Sequence, residues 1–553
     1  MTAPAQMTIT PLGGLGEIGL NCQLWDTPEG AVLIDCGLMF PDELQMGVDL
    51  IIPPMEPILA CRDRLLGVIL THGHEDHIGA VPWLATFLKG LTAYGSPFTL
   101  SLVEHKLHER NLLDRMTLET VTPKQDLTLG PFRFQFVPVS HSIPQSYALA
   151  ATTPVGKIVH TGDFKIDPHP ADGVGTDLAA LRKFAGRSGV RLLMCDSTNA
   201  EEEGHTPSEL VVGQNFETIF SEARGRIIIT TFSSHIDRIQ LIFDMARRFN
   251  RAVIVSGRSL ISNIERAREI LKIRVPEELY TDQHLPDLPP ERTVVLATGS
   301  QGEPLSALAR IVTGGHRQLS IQPGDTLVMS SRVIPGNALA VNRLINHMYR
   351  MGAKVYHDGH CPVHVSGHAR REEIRAMLAA VNPRFFIPIH GEYRHLVCNR
   401  ELAIEHGVMP ERAIIVEDGM PVTLLPRSIR LEEKIQADSI LVDGKGVGDV
   451  GELVLRERQL MAGNGIVAVV LVRDADTGVL LYGPVIRSKG FVFEQNFQYI
   501  LDDAQCLILE LVDNNKEPMD AAHLHDKLRS SLRAFFRKAV GRDPVVIPVI
   551  ADI

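Results

Sequence analysis

Between Thr71 and Ala80 the chain reads Thr-His-Gly-His-Glu-Asp-His-Ile-Gly-Ala, so four residues able to bind a metal fall within six positions: His72, His74, Asp76 and His77. Alternate side chains of an extended segment point the same way, which lets His72 and His74 grip one ion. Asp76 and His77 point elsewhere and can hold a second. Imidazole nitrogens with a carboxylate suit zinc, at ligand distances of about 2.0–2.2 Å. Surface histidines and helix caps also cluster, but His-x-His-x-Asp-His is far more restrictive than two histidines at helical spacing. Such a grip needs a rigid support. The apolar run 65–70 before it reads as a buried strand, and 78–88 after it has helical spacing, which predicts a strand-to-helix turn.

This stretch resembles the signature of the metallo-β-lactamase superfamily, and the resemblance implies two metals with further ligands elsewhere. Candidates stand at strand ends. Asp35 closes the strand-like run 31–34; alone it reads as well as a turn residue, but beside a metal cluster it can orient a ligand. The alternating run 132–139 ends at His141, 157–160 leads to Asp163, 191–195 leads to Asp196, and 384–389 leads to His390. By the resemblance, His72, His74 and His141 hold one zinc, Asp76, His77 and His390 hold the other, and Asp163 bridges them. Asp35 tunes the site.

Gly14-Leu-Gly16-Glu-Ile-Gly19 is a literal G-x-G-x-x-G, but strand-like runs follow it where a dinucleotide site needs a helix. Its glycines are expected to permit a sharp bend between strands. From Gly225 the pattern changes. Four times an apolar strand runs into a small polar loop and then a helix, at 226–235, 252–259, 293–302 and 326–337. That alternation implies a parallel sheet with helices on its faces, and such sheets bind ligands at the carboxyl ends of their strands. Ser233, Ser234, His235, Arg258, Ser331 and Arg332 are the candidates there for phosphate contacts, although serine and glycine also simply cap helices. His364, Ser366, Gly367 and His368 follow, opening a helix expected at 370–380.

The whole arrangement resembles the β-CASP branch of the superfamily, with Asp196, His368 and His390 matching its extra motifs. The strings His364-Val-Ser-Gly-His368-Ala369, Pro388-Ile-His-Gly-Glu392 and Asp443-Gly-Lys-Gly-Val-Gly-Asp449 extend the resemblance to the bacterial ribonuclease J family over essentially the whole chain. It implies an α/β fold: a metallo-β-lactamase αββα sandwich (1–208 and 367–425) interrupted by a β-CASP parallel-sheet domain (209–366). A linker (426–464) and a small C-terminal α+β domain (465–553) follow. It also implies hydrolysis of single-stranded RNA from a 5′-monophosphorylated end, with endonucleolytic cuts as a second activity, in mRNA decay and rRNA maturation. His364, Ser366 and Gly367 contact the scissile phosphate, and His368, supported by Asp196, donates to the departing 3′-oxygen. Two Zn2+ per subunit are implied, with Mn2+ as an alternative or additional ion. A homodimer and partners in an RNA-degradation complex belong to the same expectation. Arg533, Arg537 and Lys538 form either an RNA-facing patch or a solvated helix face.

Bulk properties bound these readings. At 553 residues the chain exceeds a single core, and 44% hydrophobic with 22% charged residues is ordinary for a globular protein. No apolar segment follows a basic start, and the run 466–472 is far too short to span a bilayer, so a cytoplasmic protein without membrane partners is expected. Seven cysteines without a Cys-x-x-Cys pair exclude a zinc ribbon. A net charge of −11 weighs mildly against nucleic acid, yet metals and a local basic channel can bind RNA under an acidic surface. Three rivals share the cluster. A thioester or lactam hydrolase needs no long insertion before His390. DNA nucleases of the cross-link-repair type tend to carry valine there, and non-catalytic relatives lose ligands that this chain keeps.

Overall fold

A computed structural model describes the chain except residues 1–4, 43, 278, 335–336, 445, 492–493 and 514–519. It resolves into two compact units: 1–40 with 50–440, and 41–49 with 441–553.

The larger unit is built on two facing sheets. One has eight strands, in the order Ile429–Leu431, Val422–Leu424, Met7–Gly13, Cys22–Thr27, Gly30–Ile34, Leu65–Ile69, Leu91–Gly95, Met116–Thr120. The other has six: Phe385–Ile389, Leu192–Asp196, Gly156–His160, Ser146–Thr153, Phe132–Val139, Leu127–Leu129. Period-two alternation decides which side chains meet. Phe132, Phe134 and Phe136 point inward to Trp25, Val32 and Ile69 of the first sheet. Val137, Val139, Ala148 and Ala150 point outward, where helices Leu178–Ala185, Arg371–Val381 and Tyr393–Glu405 cover them. Helix Pro97–Glu109 packs on Leu91–Gly95 and Met116–Thr120 of the first sheet. This is the expected αββα sandwich.

The insertion leaves after Leu192–Asp196 and returns at Phe385–Ile389, and these two strands pair in parallel, Cys195 beside Pro388 and Asp196 beside Ile389. It therefore exits and re-enters the sandwich at one edge. Its own sheet is wholly parallel, in the order Leu279–Tyr280, Ala252–Ser256, Thr293–Ala297, Ile227–Thr230, Thr326–Met329, Lys354–His357. The four strand–loop–helix units predicted by the sequence are all present.

Three local readings differ. The single helix expected over 78–88 is two, Glu75–Ile78 and Val81–Phe87, because Pro82 starts a new first turn. The helix expected at 370 begins at Arg371, three residues beyond His368. The stretch 426–464, read as a linker from its charge and glycines, contains strands Ile429–Leu431, Ile440–Asp443 and Gly446–Val447 and helix Glu452–Asn464. Ile429–Leu431 completes the first sheet by pairing with Val422–Leu424 across a short turn, a hairpin that its charged, largely exposed residues do not announce.

In the smaller unit, Leu480–Lys489, Ile466–Arg473 and Val545–Asp552 form a sheet. Helix Ala521–Val540 lays Leu524, Leu528, Leu532 and Phe536, four residues apart, on Val467, Val469 and Leu471. Helix Glu494–Asp513 contributes Ile500, Leu501, Ala504 and Ile508 to the same core. The sequence pattern places the second C-terminal helix at 519–540, and Met519 lies outside the described residues. Arg533 and Arg537 both pair with Asp543, which favours the solvated-face reading of that patch.

Candidate metal centre

Strands Gly30–Ile34 and Leu65–Ile69 run parallel, so Asp35 and the 71–77 turn emerge together. Asp35 has a left-handed backbone, φ 59°, unusual for a residue with a side chain. Its carboxylate accepts the Thr71 amide at 2.8 Å, the Thr71 hydroxyl at 2.9 Å and His77 Nδ1 at 2.8 Å. The Thr71 oxygen, having given its proton to Asp35, accepts from His72 Nδ1 at 3.0 Å. His141 donates from Nδ1 to the Gly367 carbonyl at 2.8 Å. These bonds fix the tautomers, leaving Nε2 of His72, His77 and His141 free to bind a cation.

The inward atoms converge. His74 Nδ1 lies 3.1 Å from His72 Nε2 and 3.0 Å from His141 Nε2. Asp163 Oδ2 stands 3.6 Å from both His72 and His141 and 3.3 Å from His77 Nε2, while its Oδ1 meets His390 Nδ1 at 2.8 Å. Asp76 Oδ2 is 3.6 Å from His77 Nε2 and 3.4 Å from His390 Nε2. Ligand atoms of His72, His74, His141 and Asp163 all lie within 4.8 Å of one another, as do those of Asp76, His77, Asp163 and His390. Asp163 belongs to both sets.

Whether metals suit these sets is decided by the atoms left over. His72 and His141 turn lone pairs towards one nitrogen of His74, with no proton available to bind all three. Burial and the neighbouring imidazoles keep these rings neutral; His74 is lowered to about 4, mainly by burial. Tetrahedral zinc bonds of 2.0–2.1 Å put ligand atoms roughly 3.3 Å apart, close to the spacing here. In the second set His390 Nε2 is buried with no hydrogen-bond partner, an atom that a cation would satisfy. Burial opposes charge on His77 and His390, but Asp163 and Asp76 overcome it, raising His390 to about 10. Those protons occupy the charge balance that a divalent ion would supply, and both sets fit one.

Asp196 and His368 stand beside this centre. Asp196 Oδ1 accepts the Thr198 amide and hydroxyl at 2.9 and 2.8 Å, and its Oδ2 takes His368 Nδ1 at 2.8 Å. The His368 ring lies 4.9 Å from that of His141 and 5.4 Å from that of His390. Its side chain keeps 19% of its surface, where His141 keeps 0% and His390 2%, and can reach a substrate. Ser366 Oγ accepts from the Asn199 amide at 2.8 Å and from the His368 amide at 3.2 Å, so its own proton remains to donate.

The remaining candidates scatter. His364 is buried edge-on to His235, ring centres 6.5 Å apart, and the charges acting on it are those of Arg238, His235, Glu209 and Lys165. His235 is itself buried, with Nε2 3.5 Å from Glu209. Ser233 faces the Asn263 amide, and Ser234 is half-buried without a side-chain bond. Ser331 is buried near Gln301, and Arg258 is exposed at the start of helix Arg258–Ile270, without an ion pair among the described residues. Only Arg332 joins the His368 neighbourhood, donating to Asn199 Oδ1 at 2.7 Å. The polar groups of these loops take different partners: His235 meets Glu209, Ser233 meets Asn263 and Arg332 meets Asn199. Sequence reasoning missed Thr71, although it opens the signature string. It also missed Asn21, whose amide lies 3.1 Å from His77 Nε2, and Asn199.

Comparison with known proteins places this geometry. The beta-lactamase superfamily domain matches residues 31–209, the ribonuclease J beta-CASP domain 224–348, the Zn-dependent metallo-hydrolase RNA specificity domain 362–415 and the ribonuclease J C-terminal domain 453–553. Ribonuclease J of Thermus thermophilus is 38% identical over 98% of this chain and 95% of its own length. The chain belongs to the ribonuclease J family. Ribonuclease J of Mycolicibacterium smegmatis is 36% identical over 100% of this chain and 98% of that protein, and that of Synechocystis 40% over 89% and 76%. An Enterococcus faecalis protein of unknown function shares the fold, with TM-score 0.52 and 16% identity over 76% of this chain and 100% of its own. Among the described residues of this family member, no helix is long and apolar enough to cross a membrane.

Proposed function

We propose that this chain is a metal-dependent ribonuclease that degrades single-stranded RNA from the 5′ end, prefers a 5′-monophosphate and cuts internally as a second activity. The observation that carries it is the pair of ligand sets sharing Asp163, with an accessible His368 held beside them by Asp196. His72, His74, His141 and Asp163 would hold one ion, and Asp76, His77, Asp163 and His390 the other. The imidazole-rich sets favour zinc, with manganese as the alternative. Two bound divalent cations lower the pKa of water and stabilise both the attacking and leaving oxygens of an in-line displacement.

The protein supplies the rest. Asp196 accepts the Nδ1–H of His368 and steadies the ring when Nε2 is also protonated, so that the Nε2 proton is the one that passes to the departing 3′-oxygen. Ser366 offers its free proton to a non-bridging phosphate oxygen, and Gly367 acts through the His141 ring it orients. Arg332 is the loop cation best placed for an RNA phosphate; Ser233, Ser234, His235, His364, Arg258 and Ser331 are proposed as softer contacts along the strand. A cytoplasmic homodimer working within an RNA-degradation complex completes the proposal.

Incubation with RNAs of one sequence bearing 5′-monophosphate, triphosphate or hydroxyl ends tests the 5′ reading. Mononucleotides from the first time point, fastest from the monophosphate, are expected. Equal decay of all three would replace it with an open-channel endonuclease. A His368→Ala variant should lose roughly 10²–10⁴ in turnover with metal content unchanged; zinc loss would make His368 a ligand instead.

A further inference from the structure

Asn199 lies three residues past Asp196 on the same turn, 2% exposed, and every polar atom of its side chain is used. Its Nδ2 donates to Ser366 Oγ at 2.8 Å and to the His368 carbonyl at 3.0 Å, while its Oδ1 accepts the Arg332 guanidinium. The Thr206 hydroxyl donates to the same His368 carbonyl at 2.7 Å. His368 is therefore held at three points: ring by Asp196, amide by Ser366, carbonyl by Asn199 and Thr206. Of these groups, Asn199 is the one bonded to Arg332, on the loop after Thr326–Met329 of the insertion. Arg332 keeps about half its side-chain surface (52%), and its ionic partner among the described residues is Glu202 at 3.8 Å. The Gln301 amide holds the Arg332 carbonyl at 2.8 Å, so the loop that carries the cation is fixed from behind.

We propose that Asn199 is a positioning residue for hydrolysis, fixing the His368 backbone and tying it to Arg332, so that an RNA phosphate engaged by Arg332 helps to set the His368 ring over the leaving oxygen. This rests on the reading of His368 as proton donor. The chemistry is selective: a misplaced donor matters when the leaving group is a poor one, such as a ribose 3′-oxygen. It matters much less for nitrophenolate, which leaves without a proton. Displacement of a reacting group by about 1 Å can cost about 10²-fold.

The test uses metal-loaded full-length protein, a 5′-monophosphorylated RNA and bis(p-nitrophenyl) phosphate. Asn199→Asp retains the acceptor for Arg332 but loses both donor contacts. It should lower kcat on RNA about 10–100-fold, with KM changed far less and several-fold less loss on the activated diester. Adding it to His368→Ala should cost nothing further, since both act through one ring. Thr206→Val, which removes only the second donor to the same carbonyl, should repeat the pattern more weakly and serves if Asn199→Asp does not fold. Arg332→Met should chiefly raise KM for RNA. Equal losses on both substrates, or additivity with His368→Ala, would assign Asn199 a merely structural role. Parental RNA turnover in Asn199→Asp beside a crippled His368→Ala would sink the positioning role alone. Parental turnover in His368→Ala would remove the donor reading itself and the inference with it.

Discussion

The ligand nitrogens of His72, His77 and His141 are each aimed by a bond on the far side of the ring. Asp35 holds His77 and, through Thr71, His72; the Gly367 carbonyl holds His141. These partners decide tautomer and direction before any cation arrives. Replacing a ligand should therefore differ from replacing its support. His77→Ala or Asp163→Ala is expected to abolish RNA cleavage and to empty a site in elemental analysis, with circular dichroism little changed. RNA cleavage at the parental rate by His77→Ala would refute the two-ion mechanism. Asp35→Asn, which keeps an oxygen for Thr71 but weakens the grip on His77, should loosen metal binding by about 10–100-fold in a chelator competition.

At the scale of elements, the centre works because strand ends and tight turns bring backbone very close together. Gly37 shows how close: a Cβ there would stand 1.7 Å from the Asp76 carbonyl oxygen. That carbonyl also accepts the Asn21 amide, and the His77 carbonyl accepts that of Cys36, so the turn cannot yield without losing hydrogen bonds. Gly37→Ala is expected to destabilise the fold by about 3 kcal/mol and to cost metal, measured by denaturant unfolding and zinc content. The same substitution at Gly90, where the added carbon meets nothing within 4 Å, is the contrast, although its left-handed φ of 85° carries a backbone strain of its own. If Gly37→Ala unfolds no more easily than Gly90→Ala, the close approach is not what holds the turn.

Across the larger unit, a half-buried carboxyl pair links the glycine-rich bend to a distant segment. Asp418 accepts the Leu15 amide at 3.2 Å, and Glu17 accepts that of Gly14 at 3.4 Å. Burial first, and then the charge of Glu17, push Asp418 up from 3.8 to about 8; burial raises Glu17 as well. A raised acid binds its proton more tightly folded than unfolded. Its contribution to stability is therefore complete below about pH 4 and lost as pH rises through about 8. Asp418→Asn should melt higher than the parent at pH 8.5 and gain nothing at pH 4. A melting difference independent of pH would show that the pair does not share its proton as described.

Much of this protein was legible in the chain because the information was local. His72, His74, Asp76 and His77 sit on one turn, and His141, Asp163, Asp196 and His390 each end an apolar run, so pattern alone marked them as strand-end residues. Strand–helix alternation likewise marked the parallel insertion, while the two-sheet sandwich was implied by the resemblance. Their grouping came from resemblance, not spacing, since 318 residues separate His72 from His390. What tertiary structure decided was which polar groups meet. The parallel pairing of Leu192–Asp196 with Phe385–Ile389 sets Asp196 against the return point of the insertion. The same closure lets Asn199 reach both Arg332 and His368, while His235 turns to Glu209 and His364 lies edge-on to His235. No local rule could separate those loops, because serine, histidine and arginine at strand ends look alike until burial assigns their partners. Ile429–Leu431 was missed for the same reason: its charge and exposure read as linker, and only the ladder to Val422–Leu424 made it a strand.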